Sequence, residues 1–138
     1  MTNSKLVLTH IDHVRLSKLL LEEKEKNKLD QGSLEKLNDE LERATKVDPE
    51  SIDPDVVTMN SVVKFTDMTT NRKMELKIVY PKDSDIKKNY VSVLAPVGMA
   101  LLGYKKGDIV EWSVPGGHRK FLINAIIYQP EKNGEYLI

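Results

Sequence analysis

Leu94-Ala95-Pro96-Val97-Gly98-Met99-Ala100-Leu101-Leu102-Gly103, followed by Lys106-Gly107-Asp108 and by Ile109-Val110-Glu111-Trp112-Ser113-Val114-Pro115-Gly116-Gly117, is the stretch that decides the fold. Proline cannot donate a helical hydrogen bond but suits a first helical turn, and glycine suits the position just past the last, so residues 96–103 read as one short helix. Residues 109–114 alternate apolar and polar side chains, the pattern of a half-buried strand. Gly107-Asp108 and Pro115-Gly116-Gly117 read as the turns that bound it. One short helix is therefore set against strands.

Working outward, Lys120 to Tyr128 reads as a further strand, with Phe121, Ile123, Ala125 and Ile127 expected on one face. Ser61–Thr66 and Met74–Tyr80 are strand candidates joined by the polar turn Asp67-Met68-Thr69-Thr70-Asn71, a hairpin signal. Tyr90–Leu94 is a third β-rich run. The two prolines and four acids of residues 48–55 interrupt any regular element, because each proline disfavours helix at its predecessor. They mark a boundary between residues 1–52 and 53–138.

The amino-terminal part reads as two helices. Thr9 is a candidate N-cap with Asp12 three residues on, and Ile11, Val14, Leu16, Leu19 and Leu20 recur at helical spacing to about Lys26. The polar break 27–32 follows. Ser33 is the expected cap of the second helix, Glu35 favours its first turn, and Leu34, Leu37, Leu41 and Ala44 form its apolar stripe. Two striped helices around a short turn predict an antiparallel hairpin. The expected fold class is α+β, with a short amino-terminal antiparallel helical hairpin followed by an antiparallel sheet domain carrying one short helix.

Charge narrows the function. The 138 residues hold 21 basic and 21 acidic side chains. Residues 1–52 carry nine Lys/Arg and eleven Asp/Glu, leaving twelve and ten for the rest, so neither half has the basic excess expected of a direct nucleic-acid binder. There is no cysteine, which removes disulfides, thiolate metal sites and Cys nucleophiles. His10, His13 and His118 do not form a metal-binding spacing, and no phosphate loop or nucleophile elbow is present. No metal and no cofactor is expected. No run is long and apolar enough for a membrane span and the amino terminus has no signal-peptide pattern, so a cytoplasmic protein without a membrane partner is expected. Trp112, at an alternating strand position, is expected in the core.

The ordered set from Ser92 to Gly117 resembles the carboxy-terminal domain of the Gre transcript-cleavage factors, with the match running over residues 57–138. The resemblance is nearest for the Rnk-like branch of that family, the regulators of nucleoside diphosphate kinase. Its markers are Asp55-Val56-Val57-Thr58-Met59-Asn60-Ser61, Val79-Tyr80-Pro81, Ala95-Pro96-Val97-Gly98 and Tyr128-Gln129-Pro130-Glu131. The resemblance implies an FKBP-like sheet domain that docks at the rim of the secondary channel of bacterial RNA polymerase. It carries the docking role to Leu94, Ala95, Pro96, Val97 and Gly98. Leu94 and Ala95 stand where the family more often has polar residues, so a more apolar contact is implied. Any contact with DNA or RNA would run through the polymerase.

Gre factors reach the polymerase active site with a long hairpin whose two tip acids help hold magnesium and water beside backtracked RNA, since carboxylates complete the shell of a hard cation. Here the first helix spans about 25 Å at ~1.5 Å per residue. The expected tip holds Lys28, Asp30 and Gln31, with one acid, and Glu35 lies beyond the turn. The expectation is a non-enzymatic regulator that competes with Gre factors without stimulating cleavage. Two alternatives stand beside it: a cleavage factor using Asp30 and Glu35, and a peptidyl-prolyl isomerase built on the FKBP-like fold. The second would need an aromatic-lined pocket, and the chain has two Phe and one Trp.

Overall fold

The computed structural model describes residues 6–26, 31–114 and 117–136; within these, the side chains of residues 25–26, 31–34, 36 and 112–114 are outside the description. The order is β1 (Val7–Thr9), α1 (His10–Lys26), α2 (Gln31–Arg43), β2 (Thr45–Val47), β3 (Val62–Asp67), β4 (Arg72–Val79), β5 (Tyr90–Ser92), α3 (Pro96–Leu101), β6 (Ile109–Val114) and β7 (Gly117–Tyr128). Five strands form one sheet in the order β5-β4-β3-β7-β6, and β1 pairs with β2 in a separate two-stranded sheet. The fold class is mixed helix and sheet, as expected from the pattern.

The sheet is not purely antiparallel as expected. β3–β4, β3–β7 and β6–β7 are antiparallel, but β5 joins β4 in parallel through Lys77↔Tyr90, Ile78↔Val91 and Val79↔Ser92. The reason is the ten-residue excursion between them. Its turns at Pro81–Asp83 and Ile86–Lys88 bring the chain back beside the last three residues of β4, so that β5 runs in the same direction. β1 and β2 also pair in parallel, Val7 opposite Thr45, and neither strand stood out in the sequence at three residues each.

β7 is bulged against β3, which the alternation of residues 120–128 did not predict. The pairing shifts register between Val62/Val63 and again between Lys64/Phe65, so Phe65 faces Ile123 but Lys64 faces Ala125. A bulge inserts one unpaired residue and flips the alternation beyond it. Phe121 and Ile123 are buried as expected, whereas Ile126 packs on the core and Ile127 is 54% exposed.

In α1 the expected cap is present: the Asp12 N–H donates to Thr9 Oγ1 at 3.0 Å. The buried stripe is Asp12, Leu16, Leu20 and Glu23, a spacing of four, four and three that keeps one face inward. Val14 does not belong to it and is 67% exposed. α2 begins at Gln31, so Ser33 lies inside its first turn and not at its cap. Its apolar face is real: Leu37 and Leu41 are buried, and the His13 ring Nε2 bonds the Leu41 carbonyl at 2.9 Å, bringing the start of α1 beside the end of α2.

One apolar core runs through the molecule. Leu16, Leu20, Leu37 and Leu41 from the helices share it with Val57, Met59, Val63, Phe65, Ile78, Leu101 and Ile123. Phe65 and Phe121 meet edge to face, centroids 5.4 Å apart, the arrangement ring quadrupoles favour. Gly103 is the crossing point of three segments: its N–H donates to the Val57 carbonyl at 2.8 Å and its carbonyl accepts from Val7 N at 3.0 Å. Its φ of +83° and the 2.4 Å that would separate a Cβ from Leu6 Cδ1 both require glycine.

Candidate functional site

The α3 region is assembled by its own backbone. Ser92 turns the chain off β5, its Oγ accepting from Leu94 N at 3.1 Å and its carbonyl from Ala95 N at 3.0 Å. Ala95 then occupies the N-cap in an extended conformation and Pro96 takes the first helical position, where its missing N–H costs nothing. Gly98, Met99, Ala100 and Leu101 face inward.

The five residues assigned to docking therefore divide. Pro96 is exposed, and Leu94, Ala95 and Val97 are partly exposed. Gly98 is buried, and a Cβ there would lie 2.6 Å from the Ser92 carbonyl oxygen. Its contribution is to let α3 lie flat on the end of β5. Pro96 and Val97 border a groove of about 820 Å³ on the sheet, shared with Val91, Met74, Asp67 and Arg119.

One wall of that groove is electrostatic. The Arg119 guanidinium donates to Asp67 Oδ2 at 2.5 Å. Burial would raise the Asp67 carboxyl, but the Arg119 hydrogen bond and the backbone N–H groups of Thr69 and Thr70 hold it below its ordinary range. The groove thus pairs an apolar lip with a fixed ion pair. Phe65 and Phe121 reach its floor but are 0% and 5% exposed, so they do not form an open aromatic cage.

Of the tip residues, Lys28 and Asp30 lie outside the described residues, and Gln31 is described only as the first residue of α2. The three histidines stand apart. His13 bonds α2, His10 lies 3.8 Å from Asp48, and His118 lies 3.6 Å from Glu111. Among the described residues no three His, Asp or Glu side chains gather as metal ligands, and no helix is long and apolar enough to cross a membrane. The Trp112 side chain is outside the description.

A polar cluster that sequence reading missed lies between α1 and the sheet. Asp12 is 4% exposed, and its Oδ2 accepts the Met59 N–H at 3.1 Å. Thr58 Oγ1 donates to Glu131 Oε1 at 2.7 Å and sits 2.8 Å from Ser61 Oγ, which also accepts Thr58 N. Gln129, 1% exposed, donates from Nε2 to the carbonyls of Asp53 and Val56, both at 2.8 Å. Burial pushes the Asp12 carboxyl to about 7; the Met59 N–H and Arg15 oppose this, and Glu131 adds to it. Burial also raises Glu131 against the Thr58 hydrogen bond, and raises the Tyr80 phenol, with Asp12 and Glu131 acting on it from nearby. The signal was present as three separate motifs, at residues 55–61, 79–81 and 128–131. Their convergence on Asp12 was not.

With this geometry in view, the family assignment is direct. Residues 52–128 match the model of the GreA/GreB transcription elongation factor carboxy-terminal domain, more than half of the chain. Residues 5–47 match the Rnk amino-terminal model. This chain belongs to the GreA/GreB family and carries the Rnk-type amino terminus. It is 44% identical over 103 residues to the regulator of nucleoside diphosphate kinase of Escherichia coli, covering 74% of this chain and 76% of that one. It is 36% identical over 99 residues to transcription elongation factor GreA of Pelobacter propionicus, covering 72% of this chain and 63% of that one. A GreA/GreB elongation factor structure from Nitrosomonas europaea superposes with a TM-score of 0.71 at 41% identity, over 91% of this chain and all of that one. The Rnk and GreA/GreB matches end and begin on either side of residues 48–51, the proline-bearing stretch.

Proposed function

We propose that this GreA/GreB-family chain is a regulator that binds bacterial RNA polymerase at the rim of its secondary channel and competes there with Gre factors without stimulating transcript cleavage. In this reading residues 53–138 are an FKBP-like docking module and residues 1–52 a short antiparallel hairpin that enters the channel partway. The observation that carries it is the pairing of an exposed Pro96–Val97 lip with a helix α1 of only 17 residues. At ~1.5 Å per residue that helix reaches about 25 Å.

The lip supplies apolar contact, and the neighbouring Asp67–Arg119 pair supplies orientation, the usual division between affinity and register at a protein interface. The family's described work is in transcription elongation, which supports polymerase as the partner. The buried Phe65 and Phe121 leave nothing to recommend proline isomerisation, because a fold does not bring its activity with it. Capture on immobilised core RNA polymerase, displaced by added GreA, tests the docking half; absence of capture at micromolar concentration contradicts it. Incubation with backtracked elongation complexes tests the other half. Unshortened RNA is expected, and cleavage dependent on Asp30 would contradict the reading.

A further inference from the structure

The cluster beneath α1 does work that polymerase docking does not call for. Helix α1 places Asp12 and Arg15 on the same side, one turn apart. Asp12 is seated on the Met59 N–H, Glu131 arrives from the turn after β7 and is held by Thr58, and Tyr80 arrives from the end of β4. These are the charged and titratable groups acting on Asp12 from each packed element: Arg15 within α1, Tyr80 and Glu131 opposite. Two buried or half-buried carboxyls, held by the adjacent residues Met59 and Thr58, thus share one seam. Two charges of one sign in a low-dielectric seam are costly unless one is neutralised, and a proton is the cheapest neutraliser.

We propose that Asp12 and Glu131 form a proton-holding clasp between the helical region and the sheet, so that the two grip each other more firmly as the medium becomes more acidic. This goes beyond the polymerase reading and does not rest on it. A protonated Asp12 still has an oxygen free to accept the Met59 N–H, so the seat survives protonation. Arg15 and Tyr80 also line a groove of about 700 Å³ between α1 and the Pro81–Asp83 turn, which neither Asp12 nor Glu131 borders. Asp12 is therefore a positioning residue with a proton-dependent strength.

The direction follows from linkage. The Asp12 carboxyl binds its proton more tightly in the folded chain, at about 7, than at its ordinary 3.8. The stability it contributes is complete below about 3.8 and is lost as pH rises through about 7. In that window the folding equilibrium constant should fall about tenfold per pH unit for the one proton released. Urea unfolding between about pH 5 and about pH 8 on the full chain reads this slope. Asp12→Asn keeps an oxygen for Met59 but cannot titrate, so it should flatten the profile and gain relative to the natural chain at the alkaline end. An Asp12→Asn profile parallel to the natural one overturns the proposal. Carbon-13 titration of the natural protein provides an independent reading. An Asp12 carboxyl titrating near 7, and moved lower by Glu131→Gln, supports the clasp; one titrating near its ordinary 3.8 overturns it.

Discussion

Two seams fasten helices to the same core, and they are built from opposite materials. α3 lies against β5 and β6 through Met99, Ala100 and Leu101, with Gly98 removing the side chain that would hold the surfaces apart. α1 packs on α2, β1 and β2 and enters the common core through Leu16 and Leu20, but its buried stripe begins and ends in carboxylates, Asp12 and Glu23. The first seam is apolar and set by steric fit. The second mixes apolar burial with a hydrogen-bonded polar cluster, so its strength depends on protonation as well as on packing. The difference teaches where rigidity and adjustability reside. The proposed docking lip stands on the apolar seam.

The largest expected effect comes from filling the tight seam. Gly98→Ala puts a Cβ 2.6 Å from a backbone oxygen that cannot step aside cheaply. A loss of about 3 kcal/mol is expected, the upper part of the range for overpacking, read as a shifted urea midpoint; a neutral outcome would mean that the α3 seam is not sterically set. Next is Leu16→Ala in the other seam. Leu16 is 0% exposed, and the deletion should cost about 2–4 kcal/mol while leaving the slope against pH intact, because Asp12 remains. Loss of that slope in Leu16→Ala would mean that the apolar and polar parts of the seam are not separable.

Gln129→Ala tests the polar part away from the carboxyls. It strips the buried Val56 carbonyl and the more exposed Asp53 carbonyl of their donor, and about 1–2 kcal/mol should be lost evenly across pH. The smallest effect belongs to Arg119→Ala, outside both seams. Its side chain is 45% exposed, so screening limits the loss to below about 1 kcal/mol. Because Asp67 is held below its ordinary range, this contribution is present above pH ~4 and disappears as pH falls through the lowered value, opposite in sign to Asp12. Acid unfolding curves of the two chains should therefore converge.

The α3 seam was largely legible in the sequence. Pro96 and Gly103 bracket a helix whatever surrounds it, and strand β6 begins and ends where its alternation does. The α1 seam was half legible. The Thr9–Asp12 cap and the leucine spacing were readable because both are local, but Val14 fell outside the stripe once β1 and the sheet fixed which face turns inward. The parallel β1–β2 pairing joins distant segments through three-residue strands, too short to leave a periodic signature, and β5, though readable as a β-rich run, does not itself encode that it pairs with β4 in parallel. The β7 bulge that exchanges Ile127 for Ile126 depends on register with β3, which no single strand encodes. The polar cluster escaped for the same reason: Asp12 and Met59 lie 47 positions apart, Thr58 and Glu131 73. Asp12 read as part of a helix cap, and Thr58, Met59 and Glu131 as parts of separate motifs, until the fold joined them.

The central claim is that the exposed α3 lip binds polymerase. Its most direct measurement is equilibrium binding of the labelled chain to core RNA polymerase, with GreA as competitor and Val97→Asp as the variant. Val97 is partly buried against the core, so the variant's urea midpoint is read beside its binding; a charge there desolvates badly at an apolar interface. The account predicts saturable binding, displacement by GreA and at least about tenfold weaker binding for Val97→Asp, equivalent to ~1.4 kcal/mol. Binding that is absent, or that neither GreA nor Val97→Asp disturbs, would contradict it.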